Sequence, residues 1–183
     1  MNYAAIKNCD IANGPGVRVS LFVSGCTHHC KGCFNAVAWD FNYGEPFTED
    51  TVGLLLQLLK PDHVKGVTLL GGEPFEPENQ PALLDFLQKM KAVYPDKTVW
   101  AYSGYLFDKH ILPCKLGEPE VTKKLLNYVD VLVDGPFIEE KKDLMLRFRG
   151  SSNQRLIDVK KSMAAGTVVL WEDWQGNGRG MKV

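Results

Sequence analysis

No stretch of this 183-residue chain reaches 18 uninterrupted apolar residues, so no transmembrane helix is expected. The opening residues, MNYAAIKNCDIANGPG, have neither the basic start nor the apolar core of a secretory signal. An excess of one charge is missing too. Lys and Arg number 21 against 22 Asp and Glu, a net charge of −1, so neither nucleic acid nor a membrane is expected as partner. Repeats, low-complexity tracts and Gly/Ser linkers are absent, which predicts one domain over 1–183, with a core at about 13–171 and a loose tail from about 172. The five cysteines are an odd number, awkward for a disulfide framework. The default expectation is a reducing cytoplasm, where clustered cysteines bind metal or do chemistry.

What the chain does have is alternation. VRVSLFV (17–23) is a β-branched, apolar run ended by Ser24-Gly25 and predicts a buried strand. Thr48 is placed to N-cap a helix to about Leu59, with Glu49 and Asp50 complementing its dipole. GVTLL (66–70) predicts a second strand, stopped by Gly71-Gly72. Pro81 suits a first helical turn, and Leu83, Leu84, Leu87, Met90, Lys91 and Tyr94 follow at helical spacing. TVWAY (98–102) predicts a strand, VTKKLLNY (121–128) a helix, VDVLV (129–133) a strand and TVVLW (167–171) a last strand. Strands alternating with helices predict an α/β fold with mostly parallel strands. SGCTHHCKGCFN (24–35), Gly71-Gly72-Glu73-Pro74, Ser103-Gly104-Tyr105 and Asp134-Gly135 each follow the carboxyl end of a predicted strand. That edge of a parallel sheet or barrel binds ligands, so the four loops are expected to build one site.

Cys26, Cys30 and Cys33 have the spacing C-x3-C-x2-C. A structural cubane takes four thiolates, one for each iron, so three leave an iron open. An open position is what separates a catalytic metal site from a closed structural one. Two plainer readings compete on spacing alone. His28 or His29 completes a Cys3His zinc site in one, and Cys9 or Cys114 supplies a fourth ligand for an electron carrier in the other. In the GGEP loop, glycines allow close backbone approach to a ligand and Glu73 can accept hydrogen bonds from an ammonium group; the competing reading is an ordinary turn with a solvated glutamate.

The C-x3-C-x2-C loop resembles that of the radical S-adenosylmethionine (SAM) superfamily. NGPGVRVSLFVSGCTHHCKGCFN, LLGGEPFEPEN, WAYSGY, VDGPF and RFRGSSNQRLID occur in the order seen in activating proteins of anaerobic ribonucleotide reductase, from Asn13 to Asp158. The resemblance implies a [4Fe–4S] cluster on Cys26, Cys30 and Cys33, with SAM chelating the fourth iron. It implies that Gly71, Gly72, Glu73 and Pro74 meet the SAM amino group and that backbone at Gly32, Cys33 and Phe34 meets the adenine. Many superfamily members carry an aromatic residue where this chain has Gly32; the reductase activators tolerate that. Ser103, Tyr105 and Asp134 are candidates for the ribose or carboxylate, though Asp134 before Gly-Pro equally suits a turn cap. The implied activity is an oxidoreductase one: a 5′-deoxyadenosyl radical installs a glycyl radical on the large subunit of anaerobic ribonucleoside-triphosphate reductase, with electrons from a donor such as flavodoxin. The implied fold is a partial, laterally open (βα) barrel, because a complete one needs roughly 200 residues or more. Another glycyl-radical activase of the pyruvate formate-lyase type, a small-molecule radical SAM enzyme, and a zinc or iron–sulfur interaction protein are the alternatives.

Arg147, Arg149 and Arg155 form a cationic group that can clamp a carboxylate, face a partner or lie on a surface strand. His28 and His29 are candidates to tune the cluster through hydrogen bonds. Cys9 and Cys114 are expected to be structural or surface thiols, and Trp171 and Trp174 to pack on the domain.

Overall fold

A computed structural model describes residues 1–172; the predicted tail from 173 onward, with Trp174, lies outside the described residues. In chain order the strands are β1 (Asn2–Asp10), β2 (Val17–Val23), β3 (Glu45–Pro46), β4 (Val64–Gly71), β5 (Thr98–Ser103), β6 (Val131–Asp134) and β7 (Arg155–Asp158). The helices are α1 (Glu49–Leu59), α2 (Gln80–Val93), α3 (Pro119–Tyr128) and α4 (Val159–Ala165). One sheet has the order β3-β1-β2-β4-β5-β6-β7. β2, β4, β5 and β6 pair in parallel, each step crossing over through one of α1, α2 and α3. β1 and β3 on one flank and β7 on the other are antiparallel, so the α/β expectation holds but the sheet is mixed and stays open between β3 and β7.

Local sequence accounts for the elements. Thr48 and Thr51 form a reciprocal capping box at α1, and Pro81 occupies the first turn of α2. Gly166 ends α4 in the left-handed conformation, at φ +65°. Alternation along each strand then sorts side chains to two faces. Val19, Leu21, Val67, Leu69, Val99 and Ala101 pack with α1–α3 in the main core, all at most 1% exposed. The opposite face carries Trp100, Val131 and Val133, covered by Phe148, Leu156 and Trp171; the Trp100 and Trp171 rings are 5.1 Å apart.

The predicted strand at 167–171 does not form. Leu170 makes only an isolated bridge to Ile157. The Ser162 hydroxyl accepts the Val169 N–H at 2.8 Å, diverting a bond a ladder needs, and β7 offers only four residues to pair with. No helix among the described residues is long and apolar enough to cross a membrane.

The face opposite the helices is closed at its amino end by Arg18, 1% exposed. Its guanidinium donates to Thr68 Oγ1 (2.8 Å), Thr98 Oγ1 (2.9 Å), Val67 O (2.8 Å) and Thr98 O (2.9 Å), beneath the Trp100 ring. Burial pulls its pKa down to about 10, against the pull of more distant Asp130, Tyr102 and Asp10.

Candidate functional site

Parallel pairing sends the ends of β2, β4, β5 and β6 to the same edge, and their loops meet there. They border a cavity of about 460 Å³, within the usual size range of ligand pockets. Cys26, Cys30 and Cys33 line it; Cys26 is buried and the other two are half-buried. The loop between them reverses through His29 (φ +49°) and Gly32 (φ +72°), where a Cβ would stand 2.8 Å from the Glu139 carboxylate. The backbone of His28 and His29 favours the charged form of the Cys26 sulfur, and that of Phe137, from the loop after β6, the charged form of the Cys30 sulfur. Burial pushes the Cys26 thiol up to about 12, with Glu73 and Glu76 adding to the rise, and burial raises Cys30 as well. A metal bound there therefore displaces protons.

Two buried carboxylates stitch the loops together. Glu73, 1% exposed, accepts the Phe75 N–H (2.8 Å) on one oxygen, and the Gly104 N–H (2.7 Å) with His28 Nε2 (3.0 Å) on the other. Burial lowers the His28 pKa, but the Glu73 hydrogen bond and the charges of Glu73 and Glu76 together outweigh it, and the net shift is upward. Glu76 accepts from the Thr27 N–H and hydroxyl. Asn79 donates to both Ser24 O (3.0 Å) and Glu73 O (2.9 Å). The backbone follows: Gly72 N–H bonds Val23 O and Glu73 N–H bonds Gly25 O. A Cβ on Gly72 would stand 2.5 Å from Gly25 O, so glycine here permits the two loops to pack on each other as well as facing the cavity.

Of the residues singled out from sequence, Gly32, Cys33, Phe34, Gly71, Gly72, Glu73 and Ser103 border the cavity with Cys26 and Cys30; Pro74, Tyr105 and Asp134 do not. Tyr105 lies behind, its ring 4.3 Å from that of His28. Asp134 is fully buried; it accepts the Phe107 N–H (2.7 Å) and both Nε (2.9 Å) and Nη2 of Arg155. Arg155 also bonds Asp108, which keeps its guanidinium inside this pair, while Arg149 donates to Gln154 O at the cavity wall. Ala12, Asn13, Tyr102, Phe137, Leu144 and Phe148 are also part of the wall. NGPG and RFRG signalled some of these, but nothing local marks Thr27 and Glu76, which meet across 49 residues.

The site discriminates among metal groups. His28 is held by Glu73, and His29 stacks on Trp39 at 4.6 Å, so both histidines of the zinc reading are engaged elsewhere. Among the described residues no three His, Cys, Asp or Glu converge as ligands of one ion. A mononuclear zinc site requires that convergence; a cluster that takes one thiolate per iron does not. Cys9 is exposed near the end of β1, beside Arg18 at the amino end of β2, roughly 16 Å of strand from the cysteine loop. Cys114 points its sulfur to Leu112 O, and neither borders the cavity. The residues present at this loop thus fit an iron–sulfur cluster.

Residues 12–157 match the family model for a 4Fe-4S single cluster domain. The chain is 43% identical over 156 residues to the anaerobic ribonucleoside-triphosphate reductase-activating protein of Pasteurella multocida (strain Pm70), covering 84% of this chain and 95% of that protein. It is 40% identical to the protein of that name from Escherichia coli (strain K12), at 84% and 96% coverage. To that from Enterobacteria phage T4 it is also 40% identical, at 85% and 93% coverage.

Proposed function

This chain belongs to the family of anaerobic ribonucleoside-triphosphate reductase-activating proteins, with a 4Fe-4S single cluster domain, and from that premise we propose that it installs a glycyl radical on the anaerobic reductase. The observation that carries the chemistry is the meeting of Cys26, Cys30 and Cys33 with the GGEP loop at one open cavity. Those three thiolates would hold a [4Fe–4S] cluster and leave one iron to the amino and carboxylate groups of SAM. When bound, cluster and SAM supply reductive cleavage of the sulfonium to methionine and a 5′-deoxyadenosyl radical, which takes a hydrogen atom from a glycine Cα.

The protein's own part is orientation and exclusion of water. The Glu73 carboxylate is spent on His28, Gly104 and Phe75, so in this reading it shapes the loop while backbone at 71–73 faces the SAM amino group and Pro74 is outside this set. Gly32, Cys33 and Phe34 take the adenine side and Ser103 the ribose or carboxylate; Asp134, committed to Arg155, is outside this set. In this reading the four parallel strands and the helices between them are the core of a partial, laterally open (βα) barrel. Hydrogen abstraction needs near contact of the reacting atoms, so the reductase's glycine loop must reach this cavity. Phe34 (83% exposed) and Leu144 (87%), which border the cavity, and adjoining Met145 (88%) form an apolar rim where it enters.

Anaerobic reconstitution tests the reading. The expected result is a brown protein whose EPR signal changes with SAM, releases methionine under a low-potential donor such as flavodoxin, and raises a glycyl doublet on added anaerobic reductase. A colourless protein with stoichiometric zinc overturns it. A doublet on pyruvate formate-lyase but not on the reductase would reassign the partner.

A further inference from the structure

Glu76 is 3% exposed, and the chemistry above gives it no role. Its Oε1 accepts the Thr27 N–H at 2.8 Å and the Thr27 hydroxyl at 2.6 Å, with the Tyr105 hydroxyl at 3.4 Å. All three donors are neutral. Among the described residues no Lys, Arg or His forms an ion pair with it, whereas its neighbour Glu73 has His28 at 3.0 Å. Burying a carboxylate on neutral donors alone is costly. A glutamine would present the same acceptor oxygen to Thr27 without that cost, so hydrogen bonding does not account for a glutamate here. What the glutamate adds is a fixed negative charge behind Thr27, the residue next to Cys26.

We propose that Glu76 is a positioning residue that locks the cysteine loop through Thr27 and, by its charge, lowers the reduction potential of the cluster. The proposal rests on the reading that Cys26, Cys30 and Cys33 hold that cluster. An added electron beside a fixed anion in a poorly screened interior is disfavoured, and charge close to an iron–sulfur centre is one of the levers that set its potential. Once reduced by an external low-potential donor, the centre is then a stronger electron donor to the sulfonium.

The test is a redox titration of the reconstituted protein, followed by EPR of the reduced cluster without SAM. Glu76→Gln, which keeps the Thr27 contacts, is expected to shift the midpoint to a more positive value at unchanged iron content. SAM cleavage per reduced cluster is expected to slow. Glu76→Asp keeps the charge and is expected to stay near the wild-type midpoint, and it carries the test if the Gln variant does not retain the cluster. An unchanged or more negative midpoint in the Gln variant, or a positive shift in the Asp variant as large as that in Gln, overturns the proposal. A wild-type cluster that titrates normally but never cleaves SAM overturns the activase reading instead, because the midpoint is read without SAM.

Discussion

The two ends of one sheet solve the same problem in opposite ways. At the amino end, Arg18 buries a full positive charge and spends four of its five N–H donors on two threonine hydroxyls and two strand carbonyls. At the carboxyl end, Glu73 and Glu76 are about as buried, but they bond to neighbouring loops and leave three cysteines bordering a cavity. Both ends hold polar groups out of water at a cost that only complete hydrogen bonding offsets. The difference is in what remains unfilled. One end is a plug and the other a socket, and the parallel strand direction decides which is which.

The sharpest break between them is by cysteine. Replacing Cys30 with alanine removes a cavity-facing thiol and is expected to abolish the iron–sulfur absorbance and methionine release together. Cys9→Ala, at the plug end, and Cys114→Ala are expected to keep both at wild-type level. Iron content and SAM cleavage on the three variants settle it. Cluster loss in the Cys9 variant would mean that the two ends are not separate, as would SAM cleavage surviving in the Cys30 variant.

The plug should break differently. Arg18→Met leaves Val67 O and Thr98 O short of a donor, while the two threonines keep their bonds to Asn13 O and Lys65 O. The expected loss of stability is about 2–4 kcal/mol, from one buried and one half-buried carbonyl left under-bonded and from imperfect refilling. Anaerobic denaturant titration measures it. The folded fraction is expected to carry a normal cluster, and a variant that folds well but loads no iron would show that the plug reaches the socket.

The two ends were unequally legible in sequence. β2, β4, β5 and β6 follow from apolar β-branched runs, and α1 and α2 from Thr48 and Pro81, because each signal is local. The loops after those strands could then be placed at one edge from strand direction alone. β1 and β7 escape because their residues are half-exposed at the sheet's flanks, where apolar alternation fades. At the socket, Asp134 reads as a ligand contact or a turn cap but is claimed by Arg155, 21 residues on. At the plug, Arg18 reads as one polar residue in an apolar run. Its partners lie 49 to 80 residues away, and pairings of that range leave no local pattern.

The smallest expected effect lies where the plug meets the cavity wall. Asp10 accepts from the Ala12 N–H (2.8 Å), Asn13 Nδ2 (2.6 Å) and Ser20 Oγ (2.7 Å), and so shapes the turn that carries Ala12 and Asn13 to the cavity. Burial raises its pKa, but Ser20, the Ala12 N–H, Asn13 and the charge of Lys7 together hold it below the ordinary 3.8. A carboxylate whose folded pKa is depressed adds stability that is present above its unfolded value and is lost as pH falls through its folded value. Asp10→Asn is therefore expected to cost on the order of 0.5–1 kcal/mol at pH 7, since one acceptor oxygen survives. The gap to wild type should narrow as pH falls below about 4. Denaturant titrations of both proteins at pH 7 and pH 3 check this. A gap constant across that range would mean that the charge of Asp10 contributes nothing and that its acceptor geometry alone shapes the turn. The cavity wall would then depend on the plug end through hydrogen bonds alone, whereas at the socket end the charge of Glu76 is what counts.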